Sequence, residues 1–310
     1  METNGAAETV DLSVTIAGKR LANPVGVASG TFGYGSEYED LIDLDSIGAL
    51  YTKAVTLEPR PGNAIPRIVE TPAGMLNSIG LANVGSRRFV TEKYPFLSQQ
   101  TCAVIVNVAG TGEDDYCETL EYLEEHAPLW GYEINVSCPN VKHGGMTIGA
   151  DPHQVESLTA ALRKRTRRPL LVKLSPNVTD IAVIARAAEA GGADALCCIN
   201  TVVGMLIDTK KKRPVLPGVT GGLSGPAILP IGLAAVYRTA RSVKIPVIGL
   251  GGIMTADHAI QYLMAGATAI QIGTANFVDP NVTGTVLSGI RDYAAAQGLR
   301  TVEDFHHLMD

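Results

Sequence analysis

Eight short apolar runs, at residues 24–28, 49–55, 103–108, 132–136, 170–174, 195–199, 246–250 and 269–272, constrain the fold more than any other feature of this chain. Several are rich in β-branched residues and nearly all are apolar throughout, so each reads as a strand covered on both faces, as in a parallel sheet. Amphipathic segments at 113–126, 152–166, 180–190 and 256–265 lie between many of them and carry the helical period. Eight such βα units make a (β/α)8 TIM barrel. At 310 residues the chain fits that architecture as one domain, 1–310, with no low-complexity linker to divide it.

Two intervals exceed plain βα connections, 56–101 and 200–244, the second with a helix at 226–241. Such excess predicts insertions over the C-terminal mouth of the barrel, where barrel enzymes build their sites. Within the first, 66–70 and 75–79 flank Thr71-Pro-Ala-Gly74 and read as a hairpin. A second hairpin is expected at the N-terminus, 12–16 and 20–21 around Ala17-Gly-Lys19, placed to plug the barrel bottom.

Composition narrows the function classes. With 46% hydrophobic and 18% charged residues the chain can bury a large core, and a net charge of -6 without a basic stripe argues against nucleic acid. The one basic run, Lys210-Lys-Lys-Arg213, is bounded by Asp208 and Pro214 and reads as a solvated loop. Five cysteines without a C-x-x-C pair, and a polar, acidic N-terminus, fit a reduced cytoplasm. No charge-free apolar stretch approaches the roughly 20 residues that cross a bilayer, so no membrane partner is expected.

The runs share an ending in polar or glycine residues: Ser29-Gly30, Lys53, Asn107, Asn135 with Cys138, Lys173, Asn200-Thr201, Gly251-Gly252 and Gly273-Thr274. The last two follow strands seven and eight, the usual phosphate site of a barrel, where glycines let backbone N–H groups approach an anion. Lys53 and Lys173 sit at apolar strand ends with few acidic neighbours at the other tips, which points to an anionic ligand as their partner. Asn135-Val-Ser-Cys138-Pro-Asn140 places two carboxamides beside a thiol, and the following residues to 149, with Gly144-Gly145, have the composition of a mobile flap. Cys138 is thus the candidate base or nucleophile. Cys102, Cys117, Cys197 and Cys198 read as small buried apolar residues. None of the six histidines pairs at metal-ligand spacing, so no metal site is expected, and His143 reads as a surface residue of the flap.

Together these residues resemble the class 1 dihydroorotate dehydrogenases. The motifs Thr52-Lys-Ala-Val-Thr56, Arg60-Pro-Gly-Asn63, Leu76-Asn-Ser-Ile-Gly-Leu-Ala-Asn83, Asn135-Val-Ser-Cys-Pro-Asn140, Ile199-Asn-Thr201, Gly221-Gly-Leu-Ser-Gly225 and Gly249-Leu-Gly-Gly252 fall in the family's order over about 23–280. Lys53-Ala54 and Asn200-Thr201 are similar to the B-type catalytic subunit. The resemblance implies FMN contacted by Ser29, Lys53, Ala54, Asn107, Asn135, Lys173, Ile199, Gly225, Gly251, Gly252, Gly273 and Thr274. It implies substrate at Lys53, Asn77, Ser78, Ile79, Gly80, Leu81, Asn135, Asn140, Asn200 and Thr201. The implied chemistry is oxidation of (S)-dihydroorotate to orotate in UMP biosynthesis, Cys138 taking the C5 proton while the C6 hydride goes to flavin N5. Electrons would pass to NAD+ through a partner subunit carrying FAD and [2Fe-2S], in a heterotetramer of two plus two. The alternatives are an A-type homodimer reducing fumarate, another phosphate-binding barrel enzyme, and a non-catalytic flavin-binding module.

Overall fold

The computed structural model describes residues 10–137 and 148–309. A closed barrel of eight parallel strands forms from Val25–Val27, Ala49–Tyr51, Ala103–Val108, Gly131–Asn135, Leu170–Leu174, Ala195–Cys198, Val247–Leu250 and Ala269–Ile272. Ile272 beside Val27 closes it. All eight expected runs supply a strand. Leu170–Leu174 is buried at every position and Ala103–Val108 likewise, the double-sided burial that an uninterrupted apolar run requires. The second run pairs continuously only to Tyr51; Val55 rejoins the barrel as a single bridge to Val108.

Helices Glu113–His126, Pro152–Arg163, Ile181–Ala190, Leu229–Ala240 and Ala256–Met264 pack outside the strands. Asp151, Asp180 and Thr255 cap three of them by accepting from His153 N, Ala182 N and His258 N. The expected helix to 166 stops at Arg163, whose guanidinium donates to Thr166 O and Arg168 O and folds the chain back toward strand five. Two helical stretches are not announced by the sequence pattern. Gly85–Leu97 follows strand two in three contiguous pieces and contains Pro95 near its end; Val282–Gln297 follows strand eight. Strand one, by contrast, has no α-helix after it, so seven helical connections and one loop replace eight uniform βα units. That loop is held by Phe32 stacked on Tyr38 at 3.9 Å and by the Glu37 carboxylate accepting from Tyr34 N.

The N-terminal hairpin Val14–Ile16/Lys19–Leu21 turns at Ala17-Gly18, both with positive φ. Lys19 Nζ donates to Trp130 O, immediately before strand four, which puts the hairpin at the N-terminal end of the barrel as expected. At the other end the two insertions unite. Strands Ile68–Thr71 and Gly74–Asn77 of the first pair through Gly221–Ser224 with Val202–Gly204 of the second, giving a four-stranded antiparallel sheet. The basic run forms the exposed turn between Ile207–Asp208 and Arg213–Pro214, with Asp208 accepting from the Lys210 and Lys211 N–H groups.

Candidate active site

A cavity of about 790 Å3 lies between the C-terminal strand ends and the insertion sheet. Its wall contains Ser29, Lys53, Ala54, Asn135, Lys173, Ile199, Gly225, Gly251, Gly252, Gly273 and Thr274, and also Asn77, Ser78, Ile79, Gly80, Leu81, Asn200 and Thr201. Of the expected residues that the structure describes, one is displaced. Asn107 does not line the cavity: it is fully buried, its Nδ2 donates to Glu133 Oε1 at 2.6 Å, and its Oδ1 has no hydrogen-bond partner among the described residues. Cys138, Asn140 and the expected flap up to residue 147, with His143, lie outside the described residues; its last two residues, Ile148 and Gly149, are buried in the turn Ile148–Ala150. Ser137, the neighbour of Cys138, does line the cavity.

The amides are already organised. Asn200 Nδ2 donates to Asn135 Oδ1 at 3.2 Å, the same oxygen that accepts from Ser137 N, while Asn200 Oδ1 accepts from Thr201 N. Asn77 Nδ2 donates to Gly222 O, so this side chain also ties the two insertions together. Asn63, the end of the Arg60-Pro-Gly-Asn63 motif, and Asn177 join the wall without having been expected among its residues. Asn63 Nδ2 donates to Ser78 O and Oγ; Asn177 Nδ2 donates to Thr201 O. The tip of strand five, Ser175-Pro-Asn177, held the signal for Asn177: polar residues just past an apolar run.

The glycines after strands seven and eight differ in cause. Gly252 has φ +73, and a Cβ there would stand 2.7 Å from Leu229 N, so the chain's own packing demands glycine. At Gly273 a Cβ would come no nearer than 3.6 Å to Ala28 Cβ. Its missing side chain therefore leaves space on the cavity wall and an open approach to the backbone ahead of the Thr274–Phe277 turn. Beside it Thr274 Oγ1 donates to Ser224 Oγ at 2.8 Å.

The two lysines are not equivalent, and here the structure corrects the sequence reading. Lys173 is not unpartnered: Nζ lies 3.5 Å from Glu133 Oε1, a carboxylate wholly buried in strand four. Glu133 also receives Asn107 and, on Oε2, Gln271 Nε2 at 2.9 Å. Burial, and after it the charge of Glu133, push the Cys197 thiol well above its ordinary range. Cys117, Cys197 and Cys198 are buried as expected, whereas Cys102 sits just ahead of strand three and is only partly covered. Lys53 is half-buried and has no carboxylate within ion-pair distance among the described residues. Burial lowers its pKa from the usual 10.5, Arg67 adding to the shift and Glu37 opposing it.

A sequence profile described as dihydroorotate dehydrogenase matches residues 11–293. The chain is 51% identical over 294 residues, covering 95% of it and 96% of the relative, to the protein of Geotalea daltonii named dihydroorotate dehydrogenase B (NAD(+)), catalytic subunit. Proteins of the same name from Geobacter sulfurreducens and Pelobacter propionicus are 52% and 50% identical, again over 95% of this chain. With a closed parallel barrel, a cavity at its mouth and likeness across nearly its whole length, this chain belongs to the dihydroorotate dehydrogenase family.

Proposed function

We propose that this chain oxidises (S)-dihydroorotate to orotate with FMN held in the cavity, as the catalytic subunit of an NAD+-linked enzyme of pyrimidine biosynthesis. The observation that carries the reading is the convergence of every described candidate residue except Asn107 on one cavity, beside a half-buried cation without a carboxylate partner among the described residues. The residues present fit the cofactor: the open approach at Gly273, with Thr274 and Gly252 beside it, suits a phosphate. Bound FMN supplies the acceptor for the hydride leaving C6.

This chain's own groups do the rest. The Lys53 ammonium balances the substrate carboxylate. Asn77, Asn135 and Asn200 present amide donors and acceptors to a ring edge that alternates N–H and C=O, an edge a carboxamide can match in both senses. Cys138, one residue beyond the cavity-lining Ser137, takes the C5 proton as a thiolate, leaving the C5–C6 double bond of orotate. The curated relatives are named NAD(+) enzymes and catalytic subunits, which supports a second subunit. We assign to it FAD and [2Fe-2S], in a two-plus-two assembly. Exposed Ile65, Val203, Met205, Ile207 and Val219 on the insertions supply apolar surface for such a partner.

The test is anaerobic mixing of the FMN-loaded chain with dihydroorotate. Bleaching of the flavin is expected, slowed about 10²–10⁴-fold in Cys138→Ala with FMN still bound. A normal rate in that variant removes Cys138 from the role. NADH formation by the single chain would overturn the two-subunit reading, and efficient fumarate reduction would move the chain to the A-type.

A further inference from the structure

Glu133 lies outside the expected site, yet the floor of the cavity is organised around it. Its carboxylate is fully buried and collects three donors from three other barrel strands: Asn107 Nδ2 at 2.6 Å from strand three, Lys173 Nζ at 3.5 Å from strand five and Gln271 Nε2 at 2.9 Å from strand eight. Asn107 stands beside Glu133 in register across strands three and four, so that contact is built into the barrel. A buried carboxylate is tolerated where such partners surround it, and its presence has two consequences. It turns the Asn107 amide so that Nδ2 points to the carboxylate, leaving Oδ1 without a hydrogen-bond partner among the described residues. It also shares the Lys173 ammonium, the cation that lines the cavity while only 5% exposed.

We infer that Glu133 is a positioning residue that sets the reduction potential of the bound flavin through Lys173. The inference rests on the FMN reading above. A lysine facing a reduced, negatively charged flavin stabilises the reduced form; a carboxylate 3.5 Å behind the same ammonium offsets part of that charge and holds the potential down. Glu133→Gln keeps the volume but puts an amide among three donors, so Asn107 or Gln271 must turn to accommodate it, and Lys173 is left with its full charge toward the cavity.

The experiment is a double-mutant cycle on the FMN-loaded chain, read by the reduction potential of the bound flavin and by denaturant unfolding of the apoprotein. Glu133→Gln in the wild-type background should shift the reduced-to-oxidised ratio toward reduced by about tenfold, or ~30 mV for a two-electron couple. In the Lys173→Met background the same change should shift it less than about threefold. An equal shift in both backgrounds, or none in either, overturns the inference. Should Glu133→Gln fail to fold, the apoproteins of Lys173→Met and of the double variant decide: the double must be the more stable, because it no longer buries an uncompensated charge. A double variant no more stable than Lys173→Met overturns the pairing. A wild-type chain that retains no FMN would sink the functional reading instead, and the apoprotein comparison would still judge the pair.

Discussion

Lys53 and Lys173 reach one cavity from strands two and five, and their surroundings divide it into a rim and a floor. Lys173 stands in the floor, buried against Glu133 within a network drawn from four barrel strands. Lys53 stands at the rim, half-buried, with no ion-pair partner among the described residues and its pKa lowered by burial. The same residue type thus serves two ends. A cation already paired in the resting protein is part of the fold and is modulated by what binds; a cation left unpaired at a mouth keeps its charge in reserve for an anionic ligand.

The contrast breaks most visibly at the floor. Lys173→Ala strands the Glu133 carboxylate in the core, so the apoprotein should lose about 3–5 kcal/mol in denaturant unfolding. A loss under about 1 kcal/mol, within the usual range of surface changes, would show that the pair is not structural.

At the rim, Lys53→Met should leave unfolding nearly unchanged near neutrality while weakening orotate binding roughly ten- to hundredfold, the worth of a charged hydrogen bond. Because the folded-state pKa lies below 10.5, the unfolded chain binds more protons in the interval beneath that value. Wild-type stability relative to Lys53→Met should therefore rise as pH climbs through that interval, while orotate affinity falls as the ammonium is lost. Titrations of binding and unfolding against pH check both signs, and opposite slopes would remove the half-buried, lowered-pKa description.

The smallest effect concerns Asn77, which belongs to the rim and to the sheet that roofs the cavity. Its bond to Gly222 O joins the insertions, so Asn77→Ala should cost about 0.5–1.5 kcal/mol of stability. If the KM for dihydroorotate rises with stability unchanged, Asn77 addresses substrate alone; if both change, it serves rim and sheet together.

The rim was more legible in the sequence than the floor. Ser29, Asn200 and Gly273 each follow an apolar run and Lys53 stands near the end of one, and the rule that barrel strands deliver polar residues at their C-terminal ends places them in one mouth. Glu133 escaped that rule because it lies inside Gly131–Asn135 rather than at its tip, and a single charge does not disturb an apolar run. Its partners Asn107 and Gln271 stand 26 and 138 positions away in the chain, so only the closed barrel brings them to it. The loop after strand one misled for a related reason: its order comes from Phe32 on Tyr38 and from Glu37 on the backbone, contacts with no helical period.

The sheet that roofs the cavity carries a consequence for how the molecule comes into being. Asn77 and Gly222 pair across 145 positions, so the roof has high contact order: its loop-closure cost must be met before its hydrogen bonds contribute. During synthesis no roof can form until Ser224 has emerged, and the barrel closes only later, when Ala269–Ile272 meets Val25–Val27. The cavity is thus among the last parts of the protein to exist, and whatever binds there meets an almost finished fold instead of guiding an early one.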